Sequence, residues 1–259
     1  MRENNFKYIY GPVSSWRLGS SLGIDPLSFS PKACSFDCIY CQIGKTSRRT
    51  KERKLYVETE EILKELHELP SVPIDYITFS GMGEPTLAKN LGEMLEAVKS
   101  ARKEKIAVIT NSSLLEREDV RKELLPANTV LAKIDACSEE MFRTINRPLE
   151  GIRLDSVLEG IKKFRKEYSG MLALQTMFIK ENEESCEELS EMAGAIGFDE
   201  VQINTPLRPC PVKPLSEERI SLIKNVFAGL NPITVFEKER KKTVPISSSE
   251  TLRRRGKTT

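Results

Sequence analysis

IDYITFSGMGEPT, residues 74–86, changes character halfway along. The first half is rich in β-branched and aromatic residues, the composition of a strand. Gly81 ends that run and opens a loop. Beyond it, from Leu87 to Lys103, Leu91, Met94, Leu95 and Val98 recur at the spacing of one helix face. A strand handed through a loop to a helix of this length predicts a crossover and a parallel neighbouring strand.

The unit repeats on both sides. Strands are predicted at 17–24, 105–111, 129–136, 171–179 and 199–204. Helices are predicted from Glu58 to Leu69, from Glu116 to Leu125 before Pro126, and from Ser138 to Ile145. Others run from Leu154 to Tyr168, from Glu183 to Ile196 before Gly197, and from Ser216 to about Phe227. About six strand–helix pairs imply an α/β fold, and they are too few for a closed eight-fold barrel. The expectation is an open, partial (β/α)6 TIM-like barrel of parallel strands over residues 1–230. Residues 231–259 are expected to form a basic, flexible tail, with eight Lys or Arg against three Glu from Val235 onward. In such a fold the polar residues that matter lie at the C-terminal ends of the strands.

Composition narrows the chemistry. The chain has 259 residues, 30% of them charged, and a net charge of +2. No apolar run approaches the roughly 20 residues of a membrane span. No secretory leader is read at MRENNFKYIYGPV, so a cytoplasmic location is expected. His67 is the one histidine and falls in a charged helical pattern, which leaves little for histidine-based hydrolysis. Six cysteines are too sparse for a disulfide scaffold. Cys137, Cys186 and Cys210 are scattered and read as small buried hydrophobes, although a second cluster among them is left open.

The other three stand together in CSFDCIYC, as Cys34, Cys38 and Cys41. Three thiolates on one loop suit three corners of an iron–sulfur cubane, whose complete protein ligation takes four. A closed structural zinc site would need a distant fourth ligand. The basic run GKTSRRTKERK, 44–54, follows directly, and reads either as a solvated loop or as a contact for phosphate, nucleic acid or an acidic electron donor.

With Tyr40 at the aromatic position, CSFDCIYC resembles the C-x3-C-x-aromatic-C signature of the radical S-adenosylmethionine (SAM) superfamily. SGMGEPT, 80–86, looks like that superfamily's glycine–glutamate motif, one strand–helix unit later. The resemblance implies a [4Fe–4S] cluster held by Cys34, Cys38 and Cys41, with S-adenosyl-L-methionine on the remaining iron. It further implies reductive cleavage of that cofactor to a 5′-deoxyadenosyl radical, and hydrogen abstraction from a substrate. Tyr40 is then expected near the adenine. Gly81, Gly83 and Glu84 would shape the amino-group site. Asn111 and Asp135 would serve the carboxylate and ribose, and Asn204 the adenine or substrate. Arg17 and Lys133 are candidates for neutralising an anionic substrate or the carboxylate. Arg147 and Arg208 sit in N-R-P and L-R-P turns and either steer a phosphate or pair with glutamates.

A narrower resemblance runs through YGPVSSWRLGSSLGID, FSGMGEPTL, KIDA, INRP and INTPLRP to the group of radical enzymes that includes 4-demethylwyosine synthase. This chain departs from that group in having no cysteine before Cys34. The implied partners are a low-potential donor such as ferredoxin or flavodoxin, and tRNA, with no membrane. Two alternatives stand beside this reading: an activase making a glycyl radical on a partner protein, and a non-catalytic metal protein that binds nucleic acid.

Overall fold

Seven strands run parallel and an eighth turns back along one edge. The computed structural model describes residues 6–28, 32–237 and 240–255. In chain order the main sheet contains β1 (Ile9–Ser15), β2 (Gly19–Ile24), β5 (Tyr76–Phe79), β6 (Lys105–Thr110), β7 (Thr129–Lys133), β8 (Met171–Met177), β9 (Glu200–Asn204) and β10 (Pro232–Thr234). They lie side by side in that order. Only the β1–β2 pair is antiparallel. A two-residue pair, β3 (Ala33–Cys34) and β4 (Arg48–Arg49), closes the base of the cysteine loop. The sheet is an open, partial barrel with β1 and β10 as its edges, which is the predicted class.

Helices cover the outside: α1 (Thr59–His67), α2 (Leu91–Ala101), α3 (Glu118–Leu124), α4 (Glu139–Ile145), α5 (Leu154–Glu167), α6 (Cys186–Ile196) and α7 (Glu217–Val226). The predicted stripes face the sheet. Leu91, Met94, Leu95 and Val98 of α2 and Ile161 and Phe164 of α5 are fully buried, each such side chain contributing about 1.5–3 kcal/mol. The caps work as the sequence suggests. Ser138 accepts from Met141 N, Ser216 accepts from Arg219 N, and Gly197 takes the left-handed conformation after α6. His67 is exposed on α1.

Two strands were not anticipated. IYGPVSS carries a Gly-Pro pair that reads as a turn, yet it forms β1, with Pro12 at an irregularity in the register. An edge strand tolerates a proline there, because one side of the ladder is unpaired. Its first residues are held by Glu65 of α1, whose carboxylate accepts from Lys7 N, Tyr8 N and Ile9 N at 2.6, 2.9 and 3.0 Å. β10 lies inside the segment set apart as a tail. That segment also forms α8 (Ser248–Arg255), which packs along β1. Charge distinguishes 231–259 in sequence, but Arg254 within it is 2% exposed.

Candidate functional site

The interior of the half-barrel is layered by strand alternation. Leu18, Ala107, Leu131 and Ala173, with Tyr76 and Ile109 against them, make an apolar floor at the N-terminal ends. Nearer the C-terminal ends the inward positions turn polar. Ser21 and Thr78 share a hydrogen bond of 2.7 Å, and Lys133 pairs in register with Gln175. Above this floor is a cavity of about 380 Å³, bounded by both edges of the sheet. Of the residues singled out in the sequence, Tyr40, Cys41, Gly81, Asn204, Arg17, Lys133 and Arg208 line it, with Gln175 beside them.

The cysteine loop leaves β3 and folds over the rim. All three of its cysteines are free and half-buried, and each sulfur faces an N–H donor. Phe36 N and Asn111 Nδ2 lie 3.5 Å from Cys34 Sγ, and Asn146 Nδ2 lies 3.5 Å from Cys38 Sγ. Lys32 Nζ lies 3.0 Å from Cys41 Sγ. Burial pushes the Cys34 thiol up to about 12, with Glu84 adding to it, and burial raises Cys38 as well. Such thiols ionise when a metal binds them. Lys32 feels the reverse. Burial pulls its ammonium down, but Cys41 and then the other two sulfurs outweigh this and raise it. Among the described residues no three His, Cys, Asp or Glu side chains close on one ion position. Three thiols on one loop, each met by a donor that stabilises a thiolate, fit three corners of a [4Fe–4S] cluster.

The second motif reaches the first through backbone. Ala33, next to Cys34, donates to Met82 O at 3.2 Å, and Glu84 N donates to Ala33 O at 3.2 Å. Gly83 permits this approach, since a Cβ there would lie 1.6 Å from the Ala33 carbonyl oxygen. Gly81, at φ 153°, likewise sits on Asp25, with room for no side chain. Glu84 is 2% exposed and points inward. Its carboxylate accepts from Thr86 N, Thr86 Oγ1, Thr110 Oγ1 and Asn111 N at 3.1, 2.7, 2.6 and 2.7 Å. It ties the motif to the end of β6 and thereby positions Asn111.

Tyr40 and Asp135 form a second knot. The Tyr40 hydroxyl donates to Asp135 Oδ2, which also accepts from Asn146 Nδ2 at 2.8 Å. Asp135 Oδ1 accepts from Met177 N at 2.8 Å. Lys133 Nζ donates to the Tyr40 oxygen at 2.9 Å and sits 4.5 Å from the ring centre. Burial, then the Asp135 charge, holds the Tyr40 phenol well above its usual value. Asp135 is 2% exposed, so it meets the cavity through Tyr40 and Lys133. Asn204 ends β9 on the cavity wall, its own Oδ1 accepting from Thr205 N at 3.0 Å. Arg147 lies away from the cavity, and its carbonyl takes Arg49 Nη2.

Lys32, Asn146, Asp25 and Arg254 were missed. Lys32 carried a signal, a cation two residues before the first cysteine. Asn146 stood in INRP without one of its own. Asp25 and Arg254 meet only in the fold.

Residues 30–193 match the family described as the radical SAM superfamily. A UPF0026 protein of Synechocystis is 42% identical over 214 residues, 82% of this chain and 79% of that protein. A UPF0026 protein of Methanocaldococcus jannaschii is 41% identical over 231 residues, 86% of this chain and 71% of that protein. In fold the chain resembles the crystal structure of Streptococcus suis SuiB bound to S-adenosylmethionine, with a TM-score of 0.62 at 16% identity. That match covers 78% of this chain, which spans 48% of SuiB.

Proposed function

We propose, from the premise that this chain belongs to the radical SAM superfamily, that it cleaves S-adenosyl-L-methionine reductively and abstracts hydrogen from a separate substrate. The family uses a [4Fe–4S] cluster and S-adenosylmethionine, and the chain is an enzyme of that family. When bound, those two groups supply a one-electron reduction and a carbon-centred radical. The observation that carries the reading is the set of N–H donors aimed at the sulfurs of Cys34, Cys38 and Cys41.

In this reading the three cysteines hold the cluster. Lys32, Asn111 and Asn146 orient their sulfurs. Gly81 and Gly83 bring the backbone of their loop against the cysteine strand, and Glu84 braces it. Tyr40 walls the cavity on the adenine side, with its ring fixed by Asp135 and Lys133. Asn204 faces adenine or substrate. Asn111 and Asp135 act from one layer behind. The electron comes from a low-potential donor such as ferredoxin or flavodoxin, in the cytoplasm. No helix among the described residues is long and apolar enough to cross a membrane.

A nucleoside carried on tRNA is the finer form of the substrate proposal, after the likeness to the 4-demethylwyosine synthase group. Lys45 and Lys51 of the outer basic run are exposed, as an RNA contact requires. Part of that run serves the fold instead. Arg49 Nη2 donates to the Arg147 and Pro148 carbonyls, and Arg53 pairs with Asp119 and Glu123.

The test is anaerobic reconstitution followed by dithionite, with 5′-deoxyadenosine and methionine as the readout. Wild type yields both, and Cys38→Ala yields neither. A fully loaded wild type that forms no 5′-deoxyadenosine removes the radical reading and leaves the non-catalytic metal protein. Hydrogen abstraction from a glycine of a partner protein would instead support the activase.

A further inference from the structure

The cavity is lined by Arg17, Lys133, Arg208, Arg240, Arg254 and Arg255 and, among the described residues, by no aspartate or glutamate. Two of these cations are spent. Arg254 is paired with Asp25 and Glu250, and Lys133 is bound to Tyr40 near Asp135. Among the described residues, no carboxylate lies at ion-pair distance from the other four. Arg17 is the sharpest case. Its Nε and Nη1 are buried and have no hydrogen-bond partner, while its guanidinium carbon sits 5.1 Å from the Trp16 ring centre. Two buried, unmet N–H donors on a half-buried guanidinium are costly, and a planar fork of N–H groups suits a phosphate or carboxylate edge. Burial, and then the like charge of Arg255, hold Arg17 down to about 10, against some help from Glu200.

The position separates this site from the rim. Arg17 precedes β2, at the N-terminal ends of the parallel strands, whereas Cys41 and Gly81 lie beyond the C-terminal ends. The six residues of β2 span roughly 17–20 Å at strand rise, so a ligand held at Arg17 must extend along the cavity to reach that rim. Arg208 and Arg255 come from the opposite edge and from α8, with Arg208 Nη1 on the Arg255 carbonyl at 3.1 Å. All three arginines line the cavity, and the Arg255 charge is felt at Arg17, whereas Arg208 leaves β9 on the rim side. The volume is within the usual range of roughly 300–1,000 Å³ for small-ligand sites.

We propose that Arg17, with Arg255, binds a phosphate group of the substrate inside the cavity, leaving its reacting carbon toward Cys41 and Gly81. This rests on the radical SAM reading for the reacting end only. Several uncompensated guanidiniums around one cavity match a group of charge −2 or more better than a single carboxylate. The phosphate belongs either to a free phosphorylated molecule or to an RNA backbone.

The experiment uses the full chain, loaded anaerobically, with pyrophosphate and a short RNA of phosphodiesters only as separate probes at constant ionic strength. Binding is read by equilibrium dialysis and by emission of Trp16, the only tryptophan in the chain. Saturable binding of pyrophosphate identifies a free phosphorylated substrate, and saturable binding of the RNA alone identifies a backbone phosphate. Arg17→Met and Arg255→Met are each expected to weaken the bound probe roughly tenfold or more, as lost charge-assisted bonds do. Wild type that binds neither probe saturably, or an Arg17→Met that binds as well as wild type, overturns the proposal. Because wild type alone reports binding, a variant that fails to fold does not leave the question open. Assaying 5′-deoxyadenosine on the same wild-type preparation separates failure of the phosphate site from failure of the radical reading.

Discussion

Arg254 Nε donates to Asp25 Oδ2 at 2.9 Å across 229 positions of sequence, with both side chains essentially shut off from solvent. The same Oδ2 accepts from Met82 N at 3.2 Å, in the glycine–glutamate loop. The helix α8 thus supplies the counter-ion for the carboxylate that seats the glycine–glutamate loop. Burial alone raises the Asp25 carboxyl, and Arg254 is the first influence that lowers it.

Arg254→Met leaves that carboxylate buried without its cation, and breaking such a pair costs about 3–5 kcal/mol. Urea unfolding of the single variant should show that loss. The double variant Arg254→Met/Asp25→Asn should recover part of it. A single variant within about 1 kcal/mol of wild type, the range of exposed pairs, would mean the pair does not hold the helix down.

Two glycine-to-alanine changes should go in opposite directions. In Gly83→Ala the new methyl would sit 1.6 Å from the Ala33 carbonyl, so the loop must separate from the cysteine strand. Iron bound per chain after reconstitution should fall together with the melting temperature. Gly194→Ala, inside α6 with only Leu230 Cδ2 at 3.7 Å, should gain about 0.4–1 kcal/mol. Equal iron content in Gly83→Ala and wild type would break the link between the two motifs.

Lys32→Met should lower the reduction potential of the loaded protein. The ammonium lies 3.0 Å from Cys41 Sγ, and removing a cation beside a cluster disfavours its more negative, reduced form. Potentiometric titration followed by electron paramagnetic resonance reads the change. A potential that stays put or rises contradicts it.

Asp75 gives a pH dependence with a definite sign. The Lys241 ammonium, and next the Ser20 N–H, hold its carboxyl below the ordinary 3.8. A depressed acid contributes stability that is complete above its unfolded value and is lost as pH falls through the folded value. The stability difference between wild type and Asp75→Asn should therefore be flat at neutral pH and shrink once pH drops below 3.8. A difference that grows in acid would reverse the assignment.

The parallel strands were legible because each stripe of helix and run of strand is local. The cysteines and the Gly81–Glu84 loop stood out by residue type and spacing, and the fold packs the two against each other. β1 was hidden, since what stabilises IYGPVSS is Glu65, more than fifty positions away in sequence. The role of Glu84 was legible only in part. Its place in the motif is visible, but its bonds to Thr110 and the Asn111 backbone depend on β6 lying alongside. Asp135 likewise stood out as a polar strand end, whereas its bond to Tyr40 joins residues 95 positions apart. Arg17 stood out as a charge, and only packing leaves two of its donors without a partner.

An unclosed barrel has a hazard that a closed one lacks, because its outer strands offer unpaired backbone to any other extended chain. Both edges are blunted here. β1 contains Pro12 and an irregular register, and within it Gly11 N donates to Thr251 Oγ1 at 3.0 Å while its carbonyl accepts from Ile246 N at 2.6 Å. β10 has three residues and begins with Pro232. The open seam therefore gives a foreign strand little to pair with, and the fold keeps its opening without becoming a template for aggregation.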